Sequence, residues 1–344
     1  MIQGIAVVLV SISAIVFFHE LGHYLAMKLF GLKVARFSIG FPPRLFGVKL
    51  GETDFCFGAI PAGGYVKPAG PDFIQDVRED DPEKNYYVIN RPAWQRILVF
   101  FAGPLFSFIL GAGILSGLFY HLGGVAEATN VIGAVAVNSP AEKAGLKRGD
   151  RILEINDYPI KTWDELVMLV SKDKPLKMKV ARGKSLVEVT VVPKLAGKRY
   201  LIGIEADYTF REIKTLPSAV KEGLKTSVDF TTLQTKGLSR AASGQASKEE
   251  FGGPLAIFKS LADAFHIGWL PFLSLVAVIN LILAVMNLIP VPMLDGGQML
   301  IAFVEMVARR RLSKNVIVNL QLFSLILIIF LSIWLLQNDI ERLK

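Results

Sequence analysis

Four long apolar stretches mark the chain, at about Gly4 to Phe30, Ile97 to Tyr120, Ile267 to Leu294 and Val316 to Leu336. Each has the length of about 20 apolar residues that a bilayer core requires. The last three hold no charged side chain, which predicts membrane-spanning helices. The first differs, because His19, Glu20, His23 and Lys28 interrupt its middle and end. It lacks the basic start and the small-residue site of a cleaved leader, so it is read as a retained span. The third closes on Asn287-Leu-Ile-Pro-Val-Pro-Met-Leu-Asp-Gly-Gly297. Two prolines there predict a broken helix end, which membrane depth tolerates only where backbone is buried in protein or lines a watery cavity.

Between the second and third spans the pattern changes to short alternating and helical pieces. Asn130 to Val137 alternates as a strand, Ser139-Pro-Ala opens a short helix ending at Gly145, and Arg151 to Ile155 is a second strand. Thr162-Trp-Asp-Glu165 reads as a capping box. Leu176 to Ala181 and Leu186 to Val192 form a hairpin. Further on, Leu216, Val220, Leu224 and Val228 recur every four residues and predict an amphipathic helix, followed by a polar loop from Ala241 to Glu250. Between spans one and two, residues 37–70 are rich in glycine and proline around short apolar runs such as Phe55 to Ile60, expected as β-hairpin strands at the membrane face. Asp72 to Asn85 is acidic and expected to be exposed.

Composition agrees with a polytopic α-helical membrane protein. Of 344 residues, 52% are hydrophobic and 20% charged, and the mean hydropathy is +0.45. One cysteine, Cys56, excludes a disulfide framework and cysteine-built zinc sites. The net charge of +8 is read as membrane-surface charge, since no basic run is interleaved with aromatics as in a nucleic-acid groove. Lys28, Lys33, Arg36, Arg309, Arg310, Arg311 and Lys314 sit in short loops, which mark the cytoplasmic side. Both chain ends and the α/β module then lie outside.

His19-Glu-Leu-Gly-His23 carries the chemistry. Histidines four apart share one helical face and can bind one zinc, with the glutamate placed as general base. A carboxylate inside a span costs about 2.5 to 3.5 kcal/mol on insertion scales, so something must offset it. A hydrogen-bonded polar helix face is the plain alternative. Catalytic zinc takes three protein ligands. His121 and His266 fall at the opposite membrane side, whereas Asp295 follows the broken segment at the depth of the two histidines. Asp295 could also cap a helix from Met299 onward.

The string Ser139-Pro-Ala-Glu-Lys-Ala-Gly-Leu-Lys-Arg-Gly-Asp-Arg-Ile-Leu-Glu-Ile-Asn156 resembles a PDZ domain of the bacterial protease type. A rigid spacer without a ligand is its rival reading. The whole chain resembles the site-2 proteases, zinc-dependent intramembrane metalloproteases, and is most similar to the bacterial regulator-of-sigma-E branch with one PDZ domain. The resemblance rests on His19 to His23, Asn287 to Gly297, Ala102-Gly-Pro104, Phe37-Ser-Ile-Gly40, Ile60-Pro-Ala-Gly-Gly-Tyr-Val-Lys67 and Gly252-Gly-Pro254. Ser107 and Gln298 depart from the family pattern, which often has asparagine and histidine there.

The resemblance implies one zinc ion on His19, His23 and Asp295, with Glu20 as base. It also implies substrate contacts at Asn287 and at Gly63, Gly64 and Tyr65, in a membrane-dipping hairpin that presents a strand edge. Four segments are expected: 1–121 with two spans and the β region, 122–208 as the extracytoplasmic PDZ domain, 209–266 as helix and linker, and 267–344 with spans three and four. Expected substrates are single-span membrane proteins of a bacterial inner membrane, such as anti-sigma factors or remnant signal peptides, after a first cut by another protease. The bilayer is the other partner. Two other functions use the same features: a zinc transporter or sensor, which would need a second ion site, and an inactive PDZ scaffold, which would need a broken motif.

Overall fold

The computed structural model describes residues 2–70, 80–170, 174–196, 199–244 and 252–343. Most of the acidic run and the end of the polar loop, residues 72–79 and 245–250, lie outside them. From the start run α1 (Ile2–Leu29), β1 (Val34–Leu50), β2 (Thr53–Pro68) and α2 (Ala93–Leu122). Next come β3 (Gly124–Val135), α3 (Pro140–Lys143), β4 (Arg151–Ile155), β5 (Tyr158–Pro159), α4 (Trp163–Leu169), β6 (Leu176–Arg182) and β7 (Ser185–Val191). The remainder is β8 (Lys194–Ala196), β9 (Arg199–Leu201), β10 (Ile204–Glu212), α5 (Leu216–Ala242), α6 (Pro254–Ile267), α7 (Trp269–Asn287), α8 (Asp295–Ala308) and α9 (Lys314–Leu343).

These elements form two compact units, Phe119–Thr215 and the remainder on either side of it. In the larger unit four helices are long and apolar enough to cross a membrane, within α1, α2, α7 and α9. The expected third span is shorter than its apolar run. Pro290 and Pro292 supply no N–H, so α7 stops at Asn287 and tight turns through Leu288 to Leu294 lead into α8.

β1 and β2 pair antiparallel but bend, so that Phe37 faces Phe55 on one side and Val66 on the other. The stretch from Gly64 to Pro68 pairs only with β1 among the described residues, leaving its other side as an open edge.

The amphipathic helix exists as α5, but its buried stripe is Ala219, Gly223 and Ser227. Leu216, Val220, Leu224 and Val228, the apolar recurrence seen in the sequence, are 41% to 56% exposed. Small residues win the buried face because α5 comes up against Ser116 of α2, where a Cβ on Gly223 would lie 2.1 Å from the serine Oγ. The chain after it was expected as linker, yet holds α6. Its N-cap, Gly253, has no capping side chain. Asp339 of α9, 2% exposed, takes that role by accepting from Gly253 N at 2.8 Å and Ala256 N at 3.1 Å.

The smaller unit is a sheet ordered β10-β3-β4-β6-β7 over α3 and α4, with Ile132, Ile152, Ile155, Met178 and Val180 in its core. The capping box at Thr162 and Glu165 is formed in both directions. β10 closes the sheet against β3 and was not foreseen, although Ile204, Ala206, Tyr208 and Phe210 alternate with polar residues.

Asp150 is the buried polar centre of this unit. It accepts from Arg182 Nε at 2.8 Å, Arg182 Nη2 at 2.7 Å and Lys147 N at 2.9 Å. Burial pushes its carboxyl up, but the guanidinium and the backbone N–H outweigh that and hold it below the ordinary carboxylate value. A depressed folded pKa stabilises above the unfolded value of about 3.9 and is lost as pH falls through the folded one. We expect Asp150→Asn to cost this unit about 2 kcal/mol and to remove that acid sensitivity. Amide exchange in β4 and β6 of the full chain measures it, and unchanged protection would refute the role.

Candidate active site

α1 places His19 and His23 one turn apart on a single face, both under 9% exposed. α2 fixes how their rings point. His23 Nδ1 donates to the Val99 carbonyl at 2.8 Å, so in the neutral ring Nε2 carries the lone pair. His19 Nδ1 meets Ser107 Oγ at 3.0 Å. Room for both rings comes from Gly103, where an added Cβ would lie 2.2 Å from His23 Nε2 and 2.9 Å from His19 Cε1. The two helices touch at Gly22, whose own Cβ would lie 2.3 Å from the Ala102 carbonyl oxygen. The Ala102-Gly-Pro104 string is thus the floor on which the histidines lie.

Asp295 reaches the same point from α8. It is the first residue of that helix and not its cap: Leu294 is the N-cap and no side chain caps it. Gly297 allows the turn, since a Cβ there would stand 2.1 Å from the Val291 carbonyl oxygen. Gln298 adds a bond of 2.5 Å from Nε2 to the Pro292 carbonyl, which braces the same turn.

The three donor atoms form a nearly equilateral triangle. His19 Nε2 and His23 Nε2 are 3.3 Å apart, and Asp295 Oδ2 lies 3.2 Å and 3.4 Å from them. A tetrahedral ion with bonds of about 2.0 to 2.1 Å spaces its donors about 3.3 to 3.4 Å apart. Asp295 Oδ2 is buried and makes no hydrogen bond, although two ring nitrogens stand beside it. Three acceptors turned toward one point, one of them orphaned, fit a divalent cation that prefers nitrogen and carboxylate oxygen. Among the described residues this is the cluster able to hold a metal.

Glu20 is next to the triangle. Its Oε2 accepts from Val66 N at 3.0 Å, on the open edge of the β1–β2 sheet. A cavity of about 340 Å³ joins His19, Glu20, His23 and Asp295 to Tyr65, Val66 and Asn287. The expected residues Asn287 and Tyr65 therefore stand at the site. Gly63 and Gly64 do not line the cavity, because they pack inward, under the Phe41 ring and against Ser38 O. His266 is far off, beside Gly4 near the start of α1. Ser107 was visible in the sequence only as a departure from a pattern, and its place four residues after Gly103 is the sign that it shares the histidine face.

A histidine pair, an aspartate and a neighbouring glutamate line one cavity among helices apolar enough to cross a membrane, a donor set that fits a metallopeptidase-type centre. The model of Peptidase family M50 matches residues 7–331. A Campylobacter jejuni protein named for a zinc metalloprotease is 34% identical, over 99% of this chain and 94% of its own. One of Clostridium acetobutylicum, named likewise, is 31% identical over 96% of each. The regulator of sigma-W protease RasP of Bacillus subtilis is 26% identical over 97% of each. A solved HtrA3 PDZ domain with a phage-derived ligand aligns at 25% identity over 21% of this chain and 82% of its own, with a TM-score of 0.19. The chain belongs to peptidase family M50, the site-2 proteases, whose metal is zinc.

Proposed function

We propose that the protein hydrolyses a peptide bond in or beside the transmembrane segment of single-span membrane proteins that another protease has already shortened. The donor triangle beside Glu20 carries this reading. His19, His23 and Asp295 hold one zinc ion, and Glu20 is the general base. Zinc bound there supplies Lewis acidity, polarising a carbonyl and making water a nucleophile at neutral pH. Glu20 takes a proton from the attacking water and passes it to the leaving amine, a role worth about 10² to 10⁴ in rate.

The substrate must first unwind, because a helix keeps its carbonyls in its own hydrogen bonds. The edge at Gly64 to Pro68, where Glu20 holds the Val66 N–H, offers its remaining backbone groups as replacement partners to an extended peptide. Tyr65 and Asn287 contact that peptide from the cavity wall. Gly63 and Gly64 serve it indirectly, by letting the edge strand lie close to β1.

The likeness to a sigma-W regulatory protease supports anti-sigma factors as substrates, with remnant signal peptides as a second class. The smaller unit is read as a PDZ domain that filters by size or reads a new C-terminus. The arginines after α8 support a cytoplasmic-side active site in the inner membrane, with the chain ends and the PDZ domain outside.

The test is cleavage by detergent-purified protein of a single-span substrate, pre-truncated or carrying a bulky outer domain, with and without a zinc chelator. Fast cleavage of the truncated form alone, abolished by the chelator, is expected. Cleavage that survives chelation would end the zinc reading, and equal rates on both substrates would end the filter.

A further inference from the structure

None of the three donors is on α2, yet α2 touches each arm of the site. Val99 and Ser107 hold the histidine rings, and Arg96, one turn before Val99, reaches across to α8. Arg96 Nη2 donates to Glu305 Oε2 at 2.6 Å, with both side chains under 10% exposed. Glu305 Oε1 accepts from Leu312 N at 2.9 Å, and Arg311 Nη2 donates to the Ile89 carbonyl at 2.7 Å. The end of α8 is therefore tied to α2 and to the segment that precedes it.

We propose that the Arg96–Glu305 pair is a positioning device for Asp295, acting through α8. Glu305 stands about 15 Å along the helix from Asp295, on the buried stripe Gly297, Ile301 and Glu305. Apolar contacts made by Ile301 and Ala302 survive a slip along the axis, because one apolar residue replaces another. The ion pair exists in one register only. Buried ion pairs are poor sources of stability, since well-packed apolar residues often do as well, and setting register is their best-attested use. α8 has to hold a register because its first residue must bring Oδ2 to within 3.4 Å of two histidine nitrogens.

This inference rests on His19, His23 and Asp295 being the zinc ligands, so its test reads the metal directly. Full-length protein, Glu305→Gln and the double variant Arg96→Met with Glu305→Leu are compared in detergent for Tm, for zinc affinity by chelator competition, and for the visible spectrum of bound cobalt(II). We expect both variants to hold zinc about tenfold more weakly with an altered cobalt spectrum, while the double variant keeps the parental Tm. A folded variant with parental zinc affinity and cobalt spectrum would overturn the positioning role and leave the metal site standing. A parent that binds no zinc would overturn the metal site, and this inference with it.

Discussion

Glu20→Gln is expected to keep its zinc and to lose peptide hydrolysis by about 10² to 10⁴-fold. Glutamine has the same shape, and its amide oxygen can still accept from Val66 N, the bond that Glu20 Oε2 makes at 3.0 Å. The strand edge should therefore stay in place. What disappears is the ability to take up and return a proton, because an amide is not a base near neutral pH. Turnover of a pre-truncated single-span substrate and zinc content, measured on the same sample, separate the two properties. A variant that still turns over would remove Glu20 from the chemistry. Loss of zinc would assign it to the metal site instead.

Gly103→Ala carries the second large effect, although Gly103 is neither ligand nor base. The new methyl would stand 2.2 Å from His23 Nε2 and 2.5 Å from His23 Cε1. Neither partner can easily retreat. The ring is held by the Val99 carbonyl at 2.8 Å, and α1 already lies against the Ala102 carbonyl at Gly22. The histidines must swing out of the triangle, and zinc affinity should fall on the order of 100-fold, as when outer partners of a metal ligand are lost. Overpacking costs about 1 to 3 kcal/mol, and alanine returns about 1 kcal/mol of helix propensity. The fold should survive while the metal leaves. Chelator competition on folded protein decides it, and parental affinity would show that the rings have other room.

Much of this site was legible in the sequence because its strongest cues are local. Histidines four apart have to share a face, and two prolines have to end α7 near Asp295. The Thr162 box and the hairpin from Leu176 to Val191 were readable for the same reason. What could not be read depends on partners distant in the chain. The packed face of α5 is set by how closely Ser116 approaches Gly223, which the apolar recurrence alone does not show. β10 was missed although Ile204 to Arg211 alternates apolar and polar residues, because its partner β3 lies far earlier in the chain. Ser107 showed only as a departure from a family pattern and Arg96 not at all, because the ring and the carboxylate they meet lie far away in the chain.

Asp339 gives α6 a property tied to time. The side chain that completes the first turn of this helix is made 86 residues after the Gly253 N–H it accepts from. At a synthesis rate of about 5 to 20 residues per second, α6 waits about 4 to 17 s for a cap worth about 0.5 to 2 kcal/mol. During that interval its leading N–H groups must be served by water or headgroups. The cap can form only once Asp339 of α9 has been made, so this contact between α6 and α9 closes late in synthesis.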